Sequence, residues 1–337
     1  MDKRILYELL YALAARGGRE KRLFGACAPE AREAFARSAP GRAFPEIWFE
    51  IPLSGDPRFD FHALTSRQDL DPEKVCTPGE TGGFPEVFRW FAVQGDAVRQ
   101  LALSWDLKPG EPPSPAIQLL GSRRNPETMA AFLRACGRED GVPQYLAFDA
   151  RLPDEWYPCY TGVFPGRSGS AVRVECIPKK QMQPVYAKDP ELLKQHLTQT
   201  GFREFGDTIL PRCAVLAAAP FPLEFQFDVD ENGCAGPVFS ASLRFACPPG
   251  KENWPWFDPA GEAGRLMETV AGWKLTDDRW RLLGDLSFVR KMTFGRENAV
   301  LYCFPAFIKL RWRAGAPADA KAYLIAGEVP GGSDQAC

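Results

Sequence analysis

The sequence repeats one kind of unit, a segment of helical periodicity followed by segments of alternating polar and apolar residues, about five times. Alternation is typical of a strand that buries one face, whereas apolar residues three or four apart are typical of an amphipathic helix. Strand pairs joined through helices form stacked α+β layers or one antiparallel sheet closed into a barrel. The strand segments are 46–53 and 58–66; 87–95, 98–107 and 116–121; 144–152 and 171–178; the hairpin 223–245; and 298–315 and 319–327.

Six segments are predicted to be helices, several with a capping residue in front and a glycine behind. The first of them begins with basic residues like a signal peptide, but Glu8 interrupts its apolar run. We therefore expect an amphipathic helix of a cytoplasmic protein, and no later segment has membrane-spanning length. The predicted helices are 2–18, 29–39, 125–137, 189–201, 261–273 and 277–289.

The segment 223–245 resembles a calcium loop at first, because Asp228, Asp230, Asn232 and Gly233 have the spacing of EF-hand ligands. The twelfth position of such a loop must supply a bidentate carboxylate, and here it is Phe239. Both flanks alternate between apolar and polar residues, which predicts a β-hairpin with its turn at Asn232 and Gly233. Its polar face carries Glu224, Gln226, Asp228, Ser240, Ser242 and Arg244.

Charge and cysteine content exclude several classes of protein. The net charge is −2, so a general affinity for nucleic acid or for an acidic membrane surface is not expected. The ten cysteines are scattered without a C-x-x-C pair, and the only histidines are His62 and His196. Zinc and iron–sulfur sites are therefore not expected, and the thiols should be reduced in the cytoplasm.

The content of the polar strand faces favours a barrel. An open sheet with helices on one face and water on the other would show the same alternation. Here aromatic side chains stand among mixed charges, as with Trp48 beside Glu50 and Tyr323 beside Lys321. A polar and aromatic lumen is a ligand site. We predict an α+β fold, an antiparallel barrel of about ten strands surrounded by helices, in residues 1–327, and a flexible tail at 328–337.

Three stretches carry a family resemblance: "IWFEIPLSGDPRFDFHALTSR", "LAFDARL" followed by "AVRVECIP", and "LLGDLSFVRKMTFGRENAVLYC". With the five repeated units, they make the chain resemble the ABBA-barrel prenyltransferases, most of all the cyanobactin-type peptide prenyltransferases. The chain departs from that family where its middle strand offers Arg173 and Glu175 instead of several basic groups. The resemblance implies transfer of an isoprenyl group from dimethylallyl or geranyl diphosphate to a peptide side chain or an aromatic small molecule, with Mg²⁺.

Prenyl transfer ionises an allylic diphosphate, so its site must hold the leaving diphosphate with cations and screen the carbocation with aromatic faces. Glu50 is the candidate to orient the acceptor or take its proton. Glu175, Glu224, Gln226 and Arg244 are candidates for further substrate binding. The candidate diphosphate contacts are Arg67, Arg173, Lys309, Arg311, Lys321 and Tyr323, and the candidate carbocation shields are Trp48, Tyr302 and Trp312.

Two other functions fit the same pattern. One is a non-catalytic α+β protein that binds a peptide or a small molecule, and the other is a degenerate family member that serves as an interaction module. Neither nucleic acid nor a membrane is expected as a partner. Mass spectrometry of an acceptor panel with allylic diphosphates separates the enzyme from both.

Overall fold

The computed structural model describes eleven ranges of the chain, and the predicted helices at 2–18 and 29–39 lie outside them. The described residues are 22–23, 46–58, 60–67, 84–94, 98–106, 114–121, 124–165, 172–245, 257–294, 297–313 and 316–330.

The strands of these ranges form one sheet in which every neighbouring pair is antiparallel. They are β1 Glu46–Pro52, β2 Asp60–Ser66, β3 Val98–Asp106, β4 Ser114–Gly121, β5 Trp156–Val163, β6 Val172–Pro178, β7 Leu223–Val229, β8 Ala235–Arg244, β9 Phe288–Phe294, β10 Glu297–Arg313 and β11 Ala316–Pro330.

The sheet closes on itself because β11 pairs with both β1 and β10. The ring follows chain order from β1 to β8, then continues through β10 and β11 back to β1, which makes a barrel of ten strands. Only the later half of β10, from Phe307, pairs with β8, while its earlier half pairs with β9. The predicted antiparallel barrel of about ten strands is confirmed.

Helices cover the outside of the barrel. They are α1 Pro85–Ala92, α2 Pro126–Ala135, α3 Gly141–Arg151, α4 Gln183–Lys188, α5 Pro190–Gln199, α6 Ile209–Ala218 and α7 Glu262–Gly272. Their apolar faces and the outward strand residues, such as Ile47, Phe49 and Ile51 of β1, form one buried cluster. Asn125 caps α2 and Asp189 caps α5, as expected from the sequence. Because the core lies between barrel and helices, the inward faces of the strands are free for other chemistry.

Two predicted strands are helices instead. The segment 87–95 lies largely in α1, whose buried residues Val87, Phe88 and Phe91 have helical spacing and whose first position is a proline. The segment 144–152 lies largely in α3, where Val142, Tyr145 and Phe148 recur at intervals of three. Both segments contain enough apolar residues to match the period of a strand as well as that of a helix. Packing against the barrel favours the helix.

Two further differences concern 277–289 and β5. The predicted helix 277–289 consists of two short 3₁₀ turns, 278–282 and 284–286, followed by the first residues of β9. The strand β5 was not predicted, because its sequence "WYPCYTGV" contains a proline and a glycine that argue against a central strand. A register shift after Pro158 accommodates the proline in the sheet.

The hairpin predicted at 223–245 is confirmed as β7 and β8. Asp230 organises its turn, because its carboxylate accepts hydrogen bonds from the backbone N–H groups of Asn232 and Cys234. Gly233 has a φ of 66° and lies so close to α3 that a Cβ would be 2.5 Å from the Cβ of Ala147. Asp230 thus closes a turn in which only glycine fits at position 233.

The described ranges form one barrel. Strand β11 continues to Pro330, three residues beyond the predicted boundary at 327, and residues 331–337 lie outside the described part.

Candidate active site

A cavity of about 360 Å³ lies inside the barrel, and inward side chains of all ten ring strands line it. The alternation that buries Ile47 and Phe49 against the helices turns Glu46, Trp48 and Glu50 inward. A second, smaller depression continues from the cavity towards Asp228, Arg311 and Lys321. The lumen is therefore polar and aromatic, as the strand faces predicted.

Glu50 sits at the centre of a buried polar cluster. Its carboxylate forms an ion pair with Lys321 and accepts a hydrogen bond from the Tyr323 hydroxyl. His62 Nε2 lies 3.7 Å from the same carboxylate. Burial opposes the charge, but the attraction of Lys321 and the hydrogen bonds hold the pKa of Glu50 well below its usual range. Glu50 is therefore an ionised carboxylate with both oxygens engaged.

Four cations gather towards one end of the lumen, which we call the cationic end: Arg173, Lys309, Arg311 and Lys321. Arg173 forms two hydrogen bonds to Asp228, of 2.6 and 3.1 Å, across β6 and β7. Arg311 pairs with Asp319 at 2.5 Å, and Lys309 donates to Gln226 at 3.2 Å. Each of these cations has a polar partner already.

Two glutamates form a carboxyl pair on the neighbouring strands β6 and β7, Glu175 and Glu224. Arg244 Nη2 is 2.7 Å from Glu224, and Lys309 Nζ is 3.9 Å from Glu175. Burial, together with the neighbouring Glu175, raises the pKa of Glu224 to about 7, although the charges of Arg244 and Lys309 act in the opposite direction. The lumen thus holds one glutamate, Glu50, that stays ionised and another, Glu224, that titrates near neutral pH.

Aromatic rings form a separate cluster on the lumen side. Phe307 stacks on Tyr323 with ring centroids 4.1 Å apart, and Trp48 meets Phe307 edge-on at 5.0 Å. Tyr302 and Phe304 stack at 5.6 Å beyond them. These rings lie beside Lys309, whose Nζ is 5.1 Å from the Tyr323 ring. Positive charge inside the lumen would therefore meet aromatic faces.

Acids slightly outnumber cations among the described residues that line the lumen. A free diphosphate must therefore compete with carboxylates for the cations that would bind it. The seven acids are Glu46, Glu50, Asp60, Asp106, Glu175, Glu224 and Asp228, and the six cations are Arg99, Arg173, Arg244, Lys309, Arg311 and Lys321.

Most of the candidate residues from the sequence lie in the lumen. Tyr302 does not line the cavity itself but belongs to the aromatic cluster on its side of the sheet. Eleven candidates line the cavity or its extension: Trp48, Glu50, Arg173, Glu175, Glu224, Gln226, Arg244, Lys309, Arg311, Lys321 and Tyr323.

Two candidates lie elsewhere. Trp312 follows Arg311 and therefore points outwards, where it stacks on Phe239 in the core under the helices. It cannot shield a carbocation in the lumen, so this prediction was wrong. Arg67 lies just after β2, where it donates a hydrogen bond to the backbone carbonyl of Gln94 at the end of α1. It is not among the residues that line the cavity or its extension.

Other lining residues were not predicted. Glu46 and His62 follow the same alternation as Trp48 and Glu50, so period two alone was enough to find them. Phe307 was hidden by a bulge at Ala306, which places Phe304 and Phe307 on one face despite their odd separation. Tyr160 was hidden in the same way in β5, where a register shift brings it inward next to Cys159.

The described residues contain no group of three or more His, Cys, Asp or Glu side chains placed to hold a metal ion. The lumen thus has no all-protein cage for Mg²⁺ within these ranges. Mg²⁺ that binds together with a phosphate commonly needs only one or two carboxylates, which is fewer than such a group contains. In the same ranges, no helix combines the length and the apolar character needed to cross a bilayer.

No protein-family model and no curated protein matches the sequence. The solved structures that share the fold include three that each have 14% sequence identity and 95% of their own chain covered. 5-Dimethylallyltryptophan synthase from Streptomyces coelicolor has a TM-score of 0.55 over 94% of this chain. Prenyltransferase PriB has TM-scores of 0.56 as the apo form and 0.54 as the ternary complex with L-tryptophan and dimethylallyl thiolodiphosphate, each over 96% of this chain.

The likeness extends over nearly the whole chain and shows that the chain shares the fold of these structures, the ABBA barrel. No similarity of sequence accompanies it beyond the 14% identity.

Proposed function

We propose that the chain is a prenyltransferase, which moves an isoprenyl group from an allylic diphosphate to a nucleophilic atom of an aromatic acceptor. One observation carries the proposal: a closed lumen holds cations, aromatic faces and an ionised carboxylate within one cavity. The fold supports it, since the solved barrels of the same shape include PriB with L-tryptophan and a dimethylallyl diphosphate analogue bound.

The diphosphate would bind at the cationic end. Lys309, Arg311, Lys321 and Arg173 come from three parts of the sheet and point into one space, where Tyr323 adds a hydroxyl. Cations on strands neutralise the charge that develops on the leaving group. To reach them, the diphosphate takes the place of carboxylates such as Asp228 on Arg173. We infer that Mg²⁺, if required, enters on the diphosphate, and chelation by EDTA tests this.

The allylic cation would form beside Trp48, Phe307 and Tyr323. The stacked pair of Phe307 and Tyr323 lies next to Lys309 at the border of the cationic end. Aromatic faces stabilise a cation and exclude water that would otherwise capture it. Glu50 lies on the same side through its hydrogen bond from Tyr323, where an ionised carboxylate would orient the acceptor and stabilise the positive charge on it.

The size of the lumen favours small substrates. A volume of about 360 Å³ is near the lower end of the range for ligand pockets. We therefore propose dimethylallyl diphosphate rather than geranyl diphosphate as the donor. The acceptor group would be one aromatic ring, belonging to a small molecule or to a peptide side chain that enters the barrel end.

A second candidate is a non-catalytic barrel that binds a neutral or zwitterionic small molecule or peptide. The lumen carboxylates favour it, because they already pair with the cations and would compete with a free diphosphate for them. Calorimetry with pyrophosphate alone, with and without Mg²⁺, separates the two candidates.

Mass spectrometry tests the proposed function directly. The protein is incubated with dimethylallyl and geranyl diphosphates against tryptophan, tyrosine, indole, naphthalenediol and aromatic peptides, with and without Mg²⁺. We expect the gain of a C5 unit on an aromatic acceptor. Binding of an acceptor without any C5 or C10 product, at every condition, supports the binding protein instead.

A further inference from the structure

The carboxyl pair of Glu175 and Glu224 is an unusual feature of the lumen that the proposed function has not used. Glu175 is 8% exposed and Glu224 is 3% exposed, and both face the cavity. The Oε1 atom of Glu175 accepts no hydrogen bond from any residue in the described ranges. A buried carboxylate oxygen without a donor is costly, so a proton or a ligand is the expected partner.

The surroundings of the pair come from three further strands. Arg244 of β8 pairs with Glu224, and Lys309 of β10 lies nearest to Glu175. Cys159 and Tyr157 of β5 complete the lining on the other side. Two cations thus face two carboxyls, but burial and mutual repulsion raise the pKa of Glu224 to about 7. When Glu224 is protonated, its hydroxyl can donate to Glu175, and the pair then holds one proton.

Glu50 is poorly suited to remove a proton by comparison. Both of its oxygens are engaged, one by Lys321 and the other by Tyr323. Its pKa is held well below its usual range, because Lys321 and the hydrogen bonds stabilise the charge. A general base works best when its pKa is close to the working pH.

We propose that the proton of the prenylated acceptor leaves to the Glu175–Glu224 pair, while Glu50 orients the acceptor and remains ionised. This inference rests on the proposed function. The sequence made Glu50 the candidate for both orientation of the acceptor and proton removal. The inference assigns these two tasks to two different sites of the lumen.

The steps balance without an external oxidant or reductant. The C–O bond of the allylic diphosphate breaks, and the diphosphate leaves with both electrons. The π electrons of the acceptor ring form the new C–C bond, which leaves a positive ring. The ring then loses its proton to the ionised pair, where the Glu224 carboxylate accepts it and the pair comes to hold one proton, and the C–H electrons restore aromaticity. Arg244, whose side chain is 40% exposed, marks the side on which the proton can return to solvent.

A titration tests the pair without any substrate. In protein labelled with ¹³C at the glutamate carboxyl, one resonance should titrate near pH 7 in the wild type. That resonance should vanish in Glu224→Gln and should titrate at lower pH in Glu175→Gln, since the repulsion is gone. Glu191→Gln on α5, whose side chain is 71% exposed, is the matched control and should leave the resonance in place.

Kinetics test the proton transfer, and L-tryptophan deuterated on its ring is the first probe acceptor, followed by any acceptor found in the screen. Glu175→Gln and Glu224→Gln should slow transfer by about 10²–10⁴-fold, the usual contribution of a general base. Deuteration should slow these variants further but hardly affect the wild type, because loss of the ring proton then limits the rate. A residue with only a structural role would not create this isotope effect.

The outcomes separate the two proposals. If the wild type transfers a prenyl group and both variants keep its rate and lack the isotope effect, the inference is overturned while the proposed function stands. The same holds if only Glu50→Gln acquires the isotope effect. If the wild type transfers no prenyl group to any acceptor, the proposed function is overturned and this role with it, although the carboxyl titration still reports on the shared proton.

Discussion

Glu50 lies directly opposite Tyr323 in the antiparallel pair of β1 and β11, and the Tyr323 hydroxyl donates a hydrogen bond to its carboxylate. Strands separated by most of the chain thus meet at the polar centre of the lumen. Lys321, two residues before Tyr323 and on the same face, forms an ion pair with the same carboxylate. The position of Glu50 is therefore fixed by barrel closure.

Glu50→Gln should reduce prenyl transfer by about 10²–10³-fold, because a charge that orients the acceptor and stabilises the positive ring is lost. The affinity for pyrophosphate should not weaken, since Lys321 loses a competing anion. Steady-state rates and calorimetry measure the two effects. An unchanged rate would make Glu50 a structural partner of Lys321 only.

Lys309→Ala, Arg311→Ala and Lys321→Ala should each weaken pyrophosphate binding by about 1.5–3 kcal/mol, the range for hydrogen bonds to charged groups. Arg281→Ala is the control, because Arg281 pairs with Glu268 on the outer surface. Calorimetry at two salt concentrations measures the effect. Wild-type affinity in all three lumen variants would show that the diphosphate does not bind at the cationic end.

Trp312→Ala and Trp48→Ala should differ in kind. Trp312 is buried under the helices and stacks on Phe239, so its truncation should cost about 3–5 kcal/mol of unfolding free energy. Trp48 is only partly buried and faces the lumen. Its truncation should therefore lower the free energy of unfolding less than Trp312→Ala does, and should lower the rate of prenyl transfer more. Denaturant melts and rates on the same samples measure both. Equal stability losses would contradict the assignment of faces.

The contribution of Glu224 to the free energy of unfolding should decrease as the pH rises from about 4.5 to 7. Its pKa is raised to about 7 by burial, so in this window the folded state holds a proton that the unfolded state has released. Glu224→Gln should therefore flatten this part of the curve of unfolding free energy against pH. Chemical denaturation at several pH values measures it, and an unchanged slope would contradict the raised pKa.

Calcium should not change the melting temperature, although Asp228, Asp230 and Asn232 have the spacing of a calcium loop. Asp230 closes the hairpin turn itself and Asp228 pairs with Arg173. Thermal melts with calcium or EDTA test this.

Gly233→Ala should lower the free energy of unfolding by at least about 1 kcal/mol because of the positive φ alone, and the close approach to Ala147 adds to this. Melts of the variant and of the wild type measure the difference.

The faces of β1, of β11, of β7 up to Phe227 and of β10 from Phe307 to Arg311 could be predicted from the sequence, because polar and apolar residues alternate there without a register shift. Alternation also places Trp312 opposite Arg311, so its assignment to the lumen contradicted the pattern itself. The bulges at Ala306 and Cys159 could not be foreseen, since a bulge adds a residue without a local signature, and they hid Phe307 and Tyr160. The partners of the lumen cations were hidden as well, because Arg173 and Asp228, or Lys321 and Glu50, meet only through strand pairing.

Closure of the barrel by β1 and β11 has a consequence for biosynthesis. The two strands are separated by more than 260 residues, and at about 5–20 residues per second the ribosome takes roughly 10–50 s to make the chain between them. During this time the edge of β1 that finally meets β11 has no native partner, and unpaired strand edges readily associate with other chains. Recovery of folded protein should therefore depend on chaperones and on growth temperature more than its final stability indicates.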